Sequence, residues 1–353
     1  MIEMASVLGF SDLNHTGGPH LSTPTLRNGT PALLLAPMEG VTDAPMRAFL
    51  SERGGFSFCV SEFLRVSQTP IPRKVFFRDI PELHDGCRTK SGLPVQIQLL
   101  GGDPERMAQS ALTAIRCGAR GIDLNFGCPA PTVNRNDGGA TLLKFPERIR
   151  EIVRAVRQAV PAQYPVSAKL RLGWDSMDPV YLNAERALEG GASWITIHGR
   201  TKSQGYTPPA YWRPIGEVRR ALGVPVVANG EIWTLEDFRR CRDETGSEHF
   251  MLGRGALADP ELPLLIAHEL GIPLPVRVND VTGESPGTGP RRFVPLIRRF
   301  AEITALYNDR PSAVHSRVKQ WLRFVNLKFP SAWFDAAKRT ESLEELLRIM
   351  ENF

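Results

Sequence analysis

Eight short apolar runs, separated by segments of helix length, dominate the chain between residues 32 and 255. The runs cover residues 32–37, 57–63, 94–101, 121–127, 165–173, 193–199, 225–230 and 249–255. Segments between them, such as PERMAQSALTAIRCG and FPERIREIVRAVRQAV, have helical patterns, and several end in a glycine typical of a helix C-cap. Buried strands that alternate with helices in this way predict an α/β fold, a (β/α)8 TIM barrel. A doubly wound sheet is the alternative, but no G-x-G-x-x-G opens a helix after the first strand.

The ends of the predicted strands carry polar residues. These are Glu39, Glu62, Gln98, Asn125, Lys169, Arg171, His198, Asn229 and Arg254. In a TIM barrel the C-terminal ends of the strands converge on one rim, where active sites of this fold lie. A single polar strand end is usually a cap or loop residue, but eight in register with the barrel repeat predict an active-site ring.

The chain changes character after the last predicted strand and its helix. Residues 271–289 are rich in Pro, Gly and charge, which is typical of a linker. Val318, Trp321, Leu322 and Val325 then recur at helical spacing, so we expect Trp321 in a core. We predict an N-terminal extension over 1–30, a barrel over 31–270, a linker over 271–289 and a small C-terminal helical domain over 290–353.

The positive charge of the chain is concentrated in the predicted helical domain. The whole chain has 43 Lys and Arg against 38 Asp and Glu, and residues 290–353 contain 12 of the former and 7 of the latter. The surplus of +5 therefore lies entirely in those residues. A basic domain on a neutral body suggests a polyanionic partner, although an ordinary solvated surface explains the charge equally well.

The cysteines exclude two classes of protein. Five cysteines are an odd number, and they are scattered without C-x-x-C or zinc-like spacing. We therefore expect no disulfide framework and no metal site, and a reducing, cytoplasmic location. No apolar run reaches the roughly 18 residues of a membrane span, and the N-terminus lacks the pattern of a secretory signal.

The last two predicted strands end in sequences suited to phosphate. Asn229-Gly230-Glu231 and Gly253-Arg254 combine glycines, which allow close approach, with a positive charge. Lys169, inside a strand, needs an anionic or electron-rich partner. It fits either the Schiff-base lysine of an aldolase or a charge beside a reduced flavin. Met38 and Gln98 suit an isoalloxazine ring, one by packing on it and the other by bonding its edge.

Cys128 stands between Gly127 and Pro129 on the loop after the fourth predicted strand. Because this loop faces the rim, we expect Cys128 to be catalytic, whereas Cys59, Cys117 and Cys241 are expected to be structural. A thiol with a pKa of about 8.5 is mostly protonated at neutral pH and can serve as a general acid. Beside a hydride donor, it would complete the reduction of a polarised C=C bond.

Seven segments resemble the motifs of the tRNA-dihydrouridine synthases, in order from about residue 33 to 257. They are LAPMEGVTD, QIQLLGGDP, DLNFGCPAPTVNRNDGGATLL, SAKLRLGW, HGRTKSQGY, VVANGEI and MLGRGAL. EFLRVSQ and HSRVKQWL further resemble the bacterial subfamily that modifies uridine 16 of the tRNA D-loop. The chain departs from the pattern at Phe126, in the N-terminal extension and in the long insert before the helical domain.

The resemblance implies an FMN enzyme that reduces the C5=C6 bond of a uridine in tRNA with electrons from NADPH, and we expect it to be a monomer. Flavin N5 would pass hydride to C6, Cys128 would protonate C5, and the target base would leave its stack. The implied FMN-binding residues are Pro37, Met38, Glu39, Gln98, Lys169, His198, Asn229, Gly230, Glu231, Gly253 and Arg254. Asn125 and Arg171 would hold the uracil. Arg65, Arg317, Lys319, Gln320 and Arg323 would contact tRNA.

Three other functions are compatible with parts of this pattern. A flavin reductase of the dihydroorotate or ene-reductase kind shares the barrel, the flavin and the cysteine, but does not need a basic helical domain. A class I aldolase would use Lys169 and would be colourless. A tRNA-binding or folding factor without enzymatic activity would not explain the polar ring.

Overall fold

The structure of the protein is a computed structural model that describes residues 23–274 and 289–353. Its sheet contains nine parallel strands: β1 Ala32–Leu35, β2 Phe58–Val60, β3 Leu64–Arg65, β4 Val95–Leu100, β5 Ile122–Asn125, β6 Val166–Arg171, β7 Ile195–His198, β8 Val226–Asn229 and β9 His249–Leu252. β1 pairs with β2 and β9, and a β2–β4 pairing closes the ring of eight. The predicted TIM barrel is confirmed.

The predicted second strand, over residues 57–63, contains β2 and is followed by a further short strand, β3. Val60 of β2 pairs with Gln96 of β4, while Leu64 of β3 pairs with Leu99. The segment from β2 to β3 therefore advances one residue more than β4 does between the two pairings. This extra residue is a β-bulge, which interrupts the pairing and separates β3 from β2.

Helices follow or separate the strands around the barrel. They are Ala44–Arg53, Arg73–Asp79, Pro104–Arg116, Pro131–Asn134, Pro146–Ala159, Val180–Glu189, Arg213–Leu222, Leu235–Thr245, Arg254–Ala258 and Leu262–Glu269, with 3-10 turns at Pro81–Asp85 and Gly139–Lys144. Local sequence sets several of their ends. Asp103 caps one helix by accepting from the Arg106 amide, and Thr234 and Asp237 form a capping box at another.

Alternate residues of the strands face two different environments. One set, including Leu124, Leu170 and Ile197, packs in the large apolar core that the helices cover. The other set faces the barrel interior, where Trp194 and Met251 belong to a small separate apolar cluster. The interior also contains buried polar side chains on β4, β5 and β6, namely Gln96, Gln98, Asp123 and Ser167.

The C-terminal helices pack against the barrel. They are Val294–Tyr307, Pro311–Lys328, Ala332–Ala337 and Leu343–Asn352, after a 3-10 turn at Gly289–Phe293. Trp321 is 1% exposed, its ring lies 5.1 Å from that of Phe49, and its indole N–H donates to the Leu257 carbonyl at 2.8 Å. The prediction that Trp321 belongs to a core is confirmed.

The four predicted segments correspond to the structure as follows. Barrel elements run from Ala32 to Glu269, and the described C-terminal elements run from Gly289 to Asn352. Most of the N-terminal extension and of the predicted linker lies outside the described residues, so their boundaries stay predictions. Within 23–274 and 289–353, no helix has the length and apolar character needed to cross a membrane.

Candidate active site

A cavity of about 680 Å³ opens at the C-terminal ends of the barrel strands. Its lining includes most of the residues predicted from the sequence: Pro37, Met38, Glu39, Asn125, Cys128, Lys169, Arg171, His198, Asn229, Gly230, Glu231, Gly253 and Arg254. The barrel brings these residues together because parallel strands all end at the same rim. The cavity is large enough for a ligand of cofactor size.

Cationic and unpaired polar groups lie on one side of the cavity. Lys169 Nζ donates to Asn229 Oδ1 at 3.0 Å, and burial, helped by the charge of Arg171, lowers the pKa of Lys169 to about 8. Burial and the charges of Arg171 and Lys169 hold the pKa of His198 well below its usual value. His198 Nδ1 has no hydrogen-bond partner among the described residues. This side of the cavity suits an anionic or electron-rich group.

Glycines at the ends of β8 and β9 allow the protein's own segments to pack closely together at this edge of the cavity. Gly230 has φ of +112°, and a Cβ there would lie 3.2 Å from His198 Nε2. A Cβ on Gly255 would lie 2.0 Å from the Ile232 carbonyl oxygen. Arg254 lies beside these glycines and supplies a positive charge. The positive charge of Arg254, at the start of the helix Arg254–Ala258, suits a phosphate group.

Cys128 is held on the loop after β5 by its own backbone. Its N–H donates to Asn125 Oδ1 at 2.8 Å, and its carbonyl accepts from the Ala140 amide at 3.1 Å. The thiol is partly buried and lines the cavity. Burial raises its pKa above the usual 9.0, so the thiol carries its proton at neutral pH. A protonated thiol in this place can act as a general acid.

Comparison with known proteins identifies the family. The family described as "Dihydrouridine synthase (Dus)" matches residues 34–270. The chain belongs to the dihydrouridine synthase family. A protein of Shewanella oneidensis named "tRNA-dihydrouridine(16) synthase" is 42% identical over 90% of this chain and 97% of its own. A Pseudomonas putida protein of the same name is 42% identical over 90% of this chain and 96% of its own.

A solved structure supports the fold of this dihydrouridine synthase. Histamine dehydrogenase from Rhizobium sp. 4-9 superposes with a TM-score of 0.54 at 15% identity, covering 77% of this chain and 49% of that one. Family membership decides between the functions left open by the sequence. The chain is a flavin-dependent oxidoreductase rather than an aldolase or a non-enzymatic factor.

Gln98 and Glu62 do not line the cavity of this family member. Gln98 is fully buried beneath it, where its amide nitrogen donates to Asp123 Oδ2 at 2.7 Å and its oxygen accepts from Asn125 Nδ2 at 2.8 Å. Glu62 accepts from the Val41 amide at 2.9 Å. Both strand-end residues therefore support the neighbours that do line the cavity.

The predicted tRNA-contacting residues have different surroundings. Arg317 donates to the carbonyls of Gly40 and Val41 and pairs with Asp43 at 2.8 Å, while Gln320 donates to the Gly40 carbonyl at 2.7 Å. Lys319 donates to the Thr340 carbonyl at 2.9 Å. Arg323 and Arg65 are exposed. Most of these side chains thus bind the protein itself, whereas Arg323 and Arg65 face solvent.

The cavity lining also includes residues that were not predicted from the sequence, among them Tyr206, Trp233, Phe324 and Leu327. The Arg254 guanidinium lies 4.9 Å from the Tyr206 ring and 5.0 Å from the Trp233 ring. Leu327 is 60% exposed, and with Phe324 it lies off the apolar face formed by Val318, Trp321, Leu322 and Val325. That departure from the helical pattern was the available signal for Phe324 and Leu327.

Among residues 23–274 and 289–353, no three His, Cys, Asp or Glu side chains are grouped as metal ligands would be.

Proposed function

We propose that this enzyme reduces the C5=C6 bond of uridine 16 in the D-loop of tRNA, with FMN as its cofactor and NADPH as its reductant. The relatives named "tRNA-dihydrouridine(16) synthase" share about 42% identity with this chain over 90% of its length, which supports the choice of uridine 16. One observation carries the chemical part of the proposal. A protonated thiol, that of Cys128, shares a cavity with the cationic side chains of Lys169, Arg171 and Arg254.

The residues present fit a flavin mononucleotide. His198 Nδ1 is buried without a partner among the described residues, and Arg254 brings a positive charge to the cavity for a phosphate. FMN would be held by Pro37, Met38, Glu39, Lys169, His198, Asn229, Gly230, Glu231, Gly253 and Arg254, with Gln98 beneath. When bound, it supplies the hydride for reduction of the uracil ring. Lys169 would stabilise negative charge in the cavity, and Arg254 would hold the phosphate end.

The uracil would be held by Asn125 and Arg171 and receive its proton from Cys128 Sγ. Asn125 accepts from the loop amides at its oxygen and donates one N–H to Gln98 on β4, which leaves its second N–H for the base. Arg171 donates to the carbonyls of Gly127 and Thr201, both at 2.9 Å, so its guanidinium is fixed between two loops. Because burial keeps Cys128 protonated, the thiol can deliver its proton without prior uptake from water.

The tRNA would lie against residues 290–353, the proposed tRNA-binding domain, and across the cavity mouth. Arg323 and Arg65 are exposed and available to phosphates, whereas Arg317, Lys319 and Gln320 also hold the protein together. Phe324 and Leu327 of the same helix line the cavity, so a base entering it passes the helical domain. We place the enzyme in the cytoplasm as a monomer.

The experiment uses tRNA transcripts that lack modifications. Wild-type protein with NADPH should form dihydrouridine at position 16, mapped by reverse-transcription arrest after alkaline ring opening, and should release FMN on denaturation. A transcript with uridine 16 changed to cytidine is the control and should remain unmodified. Cys128→Ala should keep its flavin but lose about 10²–10⁴-fold in turnover, as removal of a general acid does. Dihydrouridine at another position, or wild-type turnover by the variant, would contradict the proposal.

A further inference from the structure

A chain of buried side chains connects the interior of the barrel to the Cys128 loop. Ser167 Oγ donates to Asp123 Oδ1 at 2.5 Å, and Gln98 Nε2 donates to Asp123 Oδ2 at 2.7 Å. Gln98 Oε1 accepts from Asn125 Nδ2 at 2.8 Å. Asn125 Oδ1 then accepts from the backbone amides of Gly127 and Cys128, at 2.9 and 2.8 Å. Three strands, β4, β5 and β6, contribute these side chains.

The carboxylate of Asp123 determines the direction of every hydrogen bond in this chain. An ionised carboxylate only accepts, so Gln98 must turn its NH2 group toward Asp123 and its oxygen toward Asn125. Asn125 must then turn its NH2 group toward Gln98 and its oxygen toward the loop amides. On the other side, Gln96 Nε2 donates to Ser167 Oγ at 3.0 Å, which leaves the Ser167 hydroxyl proton for Asp123. Every side-chain donor in this chain of hydrogen bonds therefore points toward the Asp123 carboxylate.

We propose that Asp123 is a positioning residue for Cys128, acting through Gln98 and Asn125 to fix the loop that carries the thiol. The direction of the bonds matters because a reversed Asn125 would place its NH2 group against two backbone N–H groups. The loop would then lose both anchors at Gly127 and Cys128. Asp123 is 2% exposed, and burial raises its pKa to about 6, so it remains a carboxylate at neutral pH.

This inference rests on the proposed role of Cys128 as proton donor, but the placement of the thiol can be measured separately. Asp123→Asn keeps the size of the side chain and replaces one acceptor atom by a donor. Because Ser167 Oγ already accepts from Gln96 Nε2, its proton keeps the oxygen of residue 123, and the introduced NH2 group faces Gln98. The Gln98 amide must then reverse to accept this bond, and the reversal passes to Asn125. A looser loop exposes the thiol, which moves the pKa of Cys128 back toward its usual value.

A double variant restores the direction of the bonds. In Asp123→Asn/Gln98→Glu, the introduced amide can donate to the introduced carboxylate, whose second oxygen accepts from Asn125 Nδ2. Asn125 Oδ1 again faces the loop amides. Ser167→Ala is the matched control, because it removes one bond to Asp123 and leaves the remaining directions unchanged. A general loss of packing in the barrel would not be reversed by a second polar substitution.

The test measures iodoacetamide alkylation of Cys128 against pH, with the modified peptide quantified by mass spectrometry. The other cysteines are buried and report on unfolding in the same samples. Asp123→Asn should shift the alkylation profile to lower pH and lower kcat by at least about tenfold, as misplaced catalytic groups do, with KM for tRNA little changed. Ser167→Ala should retain the wild-type profile, and the double variant should recover it.

The outcomes separate this proposal from the proposed function. A wild-type alkylation profile in Asp123→Asn, or a profile that the double variant fails to recover, would overturn the positioning role whatever happens to kcat. A shifted profile that the double variant recovers, together with unchanged tRNA reduction, would support the positioning role and instead contradict Cys128 as proton donor. Flavin content, measured on the same samples, distinguishes an effect on the thiol from cofactor loss.

Discussion

Single, partly buried side chains set the charge of the cavity, and Lys169 is the clearest case. It lies inside the barrel at the end of β6 with Asn229 as its hydrogen-bond partner, and burial lowers its pKa. An ammonium held in this way is stabilised by an electron-rich ligand more than by the empty protein. The charge therefore favours flavin binding at some cost to the stability of the protein without flavin.

Lys169→Met, which preserves length and removes charge, should weaken flavin retention. Loss of a charge-assisted contact of about 1.5–3 kcal/mol raises the Kd by about one to two orders of magnitude. Flavin content after dialysis and the rate of flavin reduction by NADPH measure the effect. Lys90→Met is the control, because Lys90 is an exposed partner of Asp85 on the barrel surface. Normal content and reduction in Lys169→Met would remove this residue from the site.

A second prediction at the residue scale concerns Glu62. Burial, with a contribution from the charge of Asp43, raises the pKa of Glu62 from 4.5 to about 7. The folded protein binds this proton more tightly than the unfolded chain does. The resulting stability is complete below about pH 4.5 and is lost as the pH rises through about 7. The free energy of unfolding of the wild type should therefore fall by up to about 3 kcal/mol between pH 4.5 and about 7, relative to that of Glu62→Gln, which does not titrate at this position.

Urea unfolding of both proteins at pH 4.5, 6 and 8 checks this difference in free energy. Glu151→Gln, at an exposed helix position, is the control and should show no comparable trend. A constant difference between wild type and Glu62→Gln across the pH range would mean that Glu62 titrates normally in the folded protein.

At the scale of elements, the long helix Pro311–Lys328 shows where sequence interpretation succeeds and where it stops. Its apolar spacing placed Trp321 in the core, because periodicity reports which face is buried. Its charges were predicted as one group, yet Arg317 binds the loop at Asp43 while Arg323 is exposed. Spacing along one helix cannot reveal this difference, since the loop partner lies more than 270 residues away in the chain.

The same limit applies to the cavity. Strand ends were predicted well, including Cys128, Lys169 and His198, because the barrel repeat forces all of them onto one rim. Gln98 also follows the repeat, but its depth inside the barrel depends on side-chain partners on β5, which a strand pattern does not specify. Tyr206 enters the cavity from a long loop and has no periodic signal.

The two arginines of this helix should therefore behave differently when changed to alanine. Arg317→Ala should lower stability by about 1–3 kcal/mol, because it leaves backbone carbonyls and Asp43 without their cation. Arg323→Ala should leave stability unchanged and lower the slope of log K for tRNA against log salt by about 0.7–0.9, the counterion release of one phosphate contact. Thermal unfolding and filter binding at several salt concentrations measure the two effects. Equal salt slopes in wild type and Arg323→Ala would mean that Arg323 is ordinary solvated surface.

For the whole molecule, the helical domain and the barrel should unfold together. Arg299 pairs with Glu52 at 2.8 Å and Lys328 with Asp259 at 2.7 Å, and both pairs join the two parts across the interface. The aromatic rings of Phe49, Phe300 and Trp321 pack at the centre of the same interface. Shared apolar burial of this kind makes the two parts one cooperative unit. The cavity mouth, which Phe324 and Leu327 complete, then keeps its shape as long as the barrel is folded.

Trp321 provides the test of this coupling. Trp321→Ala should lower the free energy of unfolding by about 3–5 kcal/mol, as removal of a buried tryptophan does. Trp321→Phe keeps a ring against Phe49 but loses the hydrogen bond to the Leu257 carbonyl, so its loss of stability should be smaller.

In the wild type, circular dichroism and tryptophan fluorescence should report one coincident transition in denaturant, since Trp194 lies in the barrel and Trp333 in the helical domain. Separate transitions in the wild type would show that the domains are independent, and the helical domain would then move relative to the cavity that it borders.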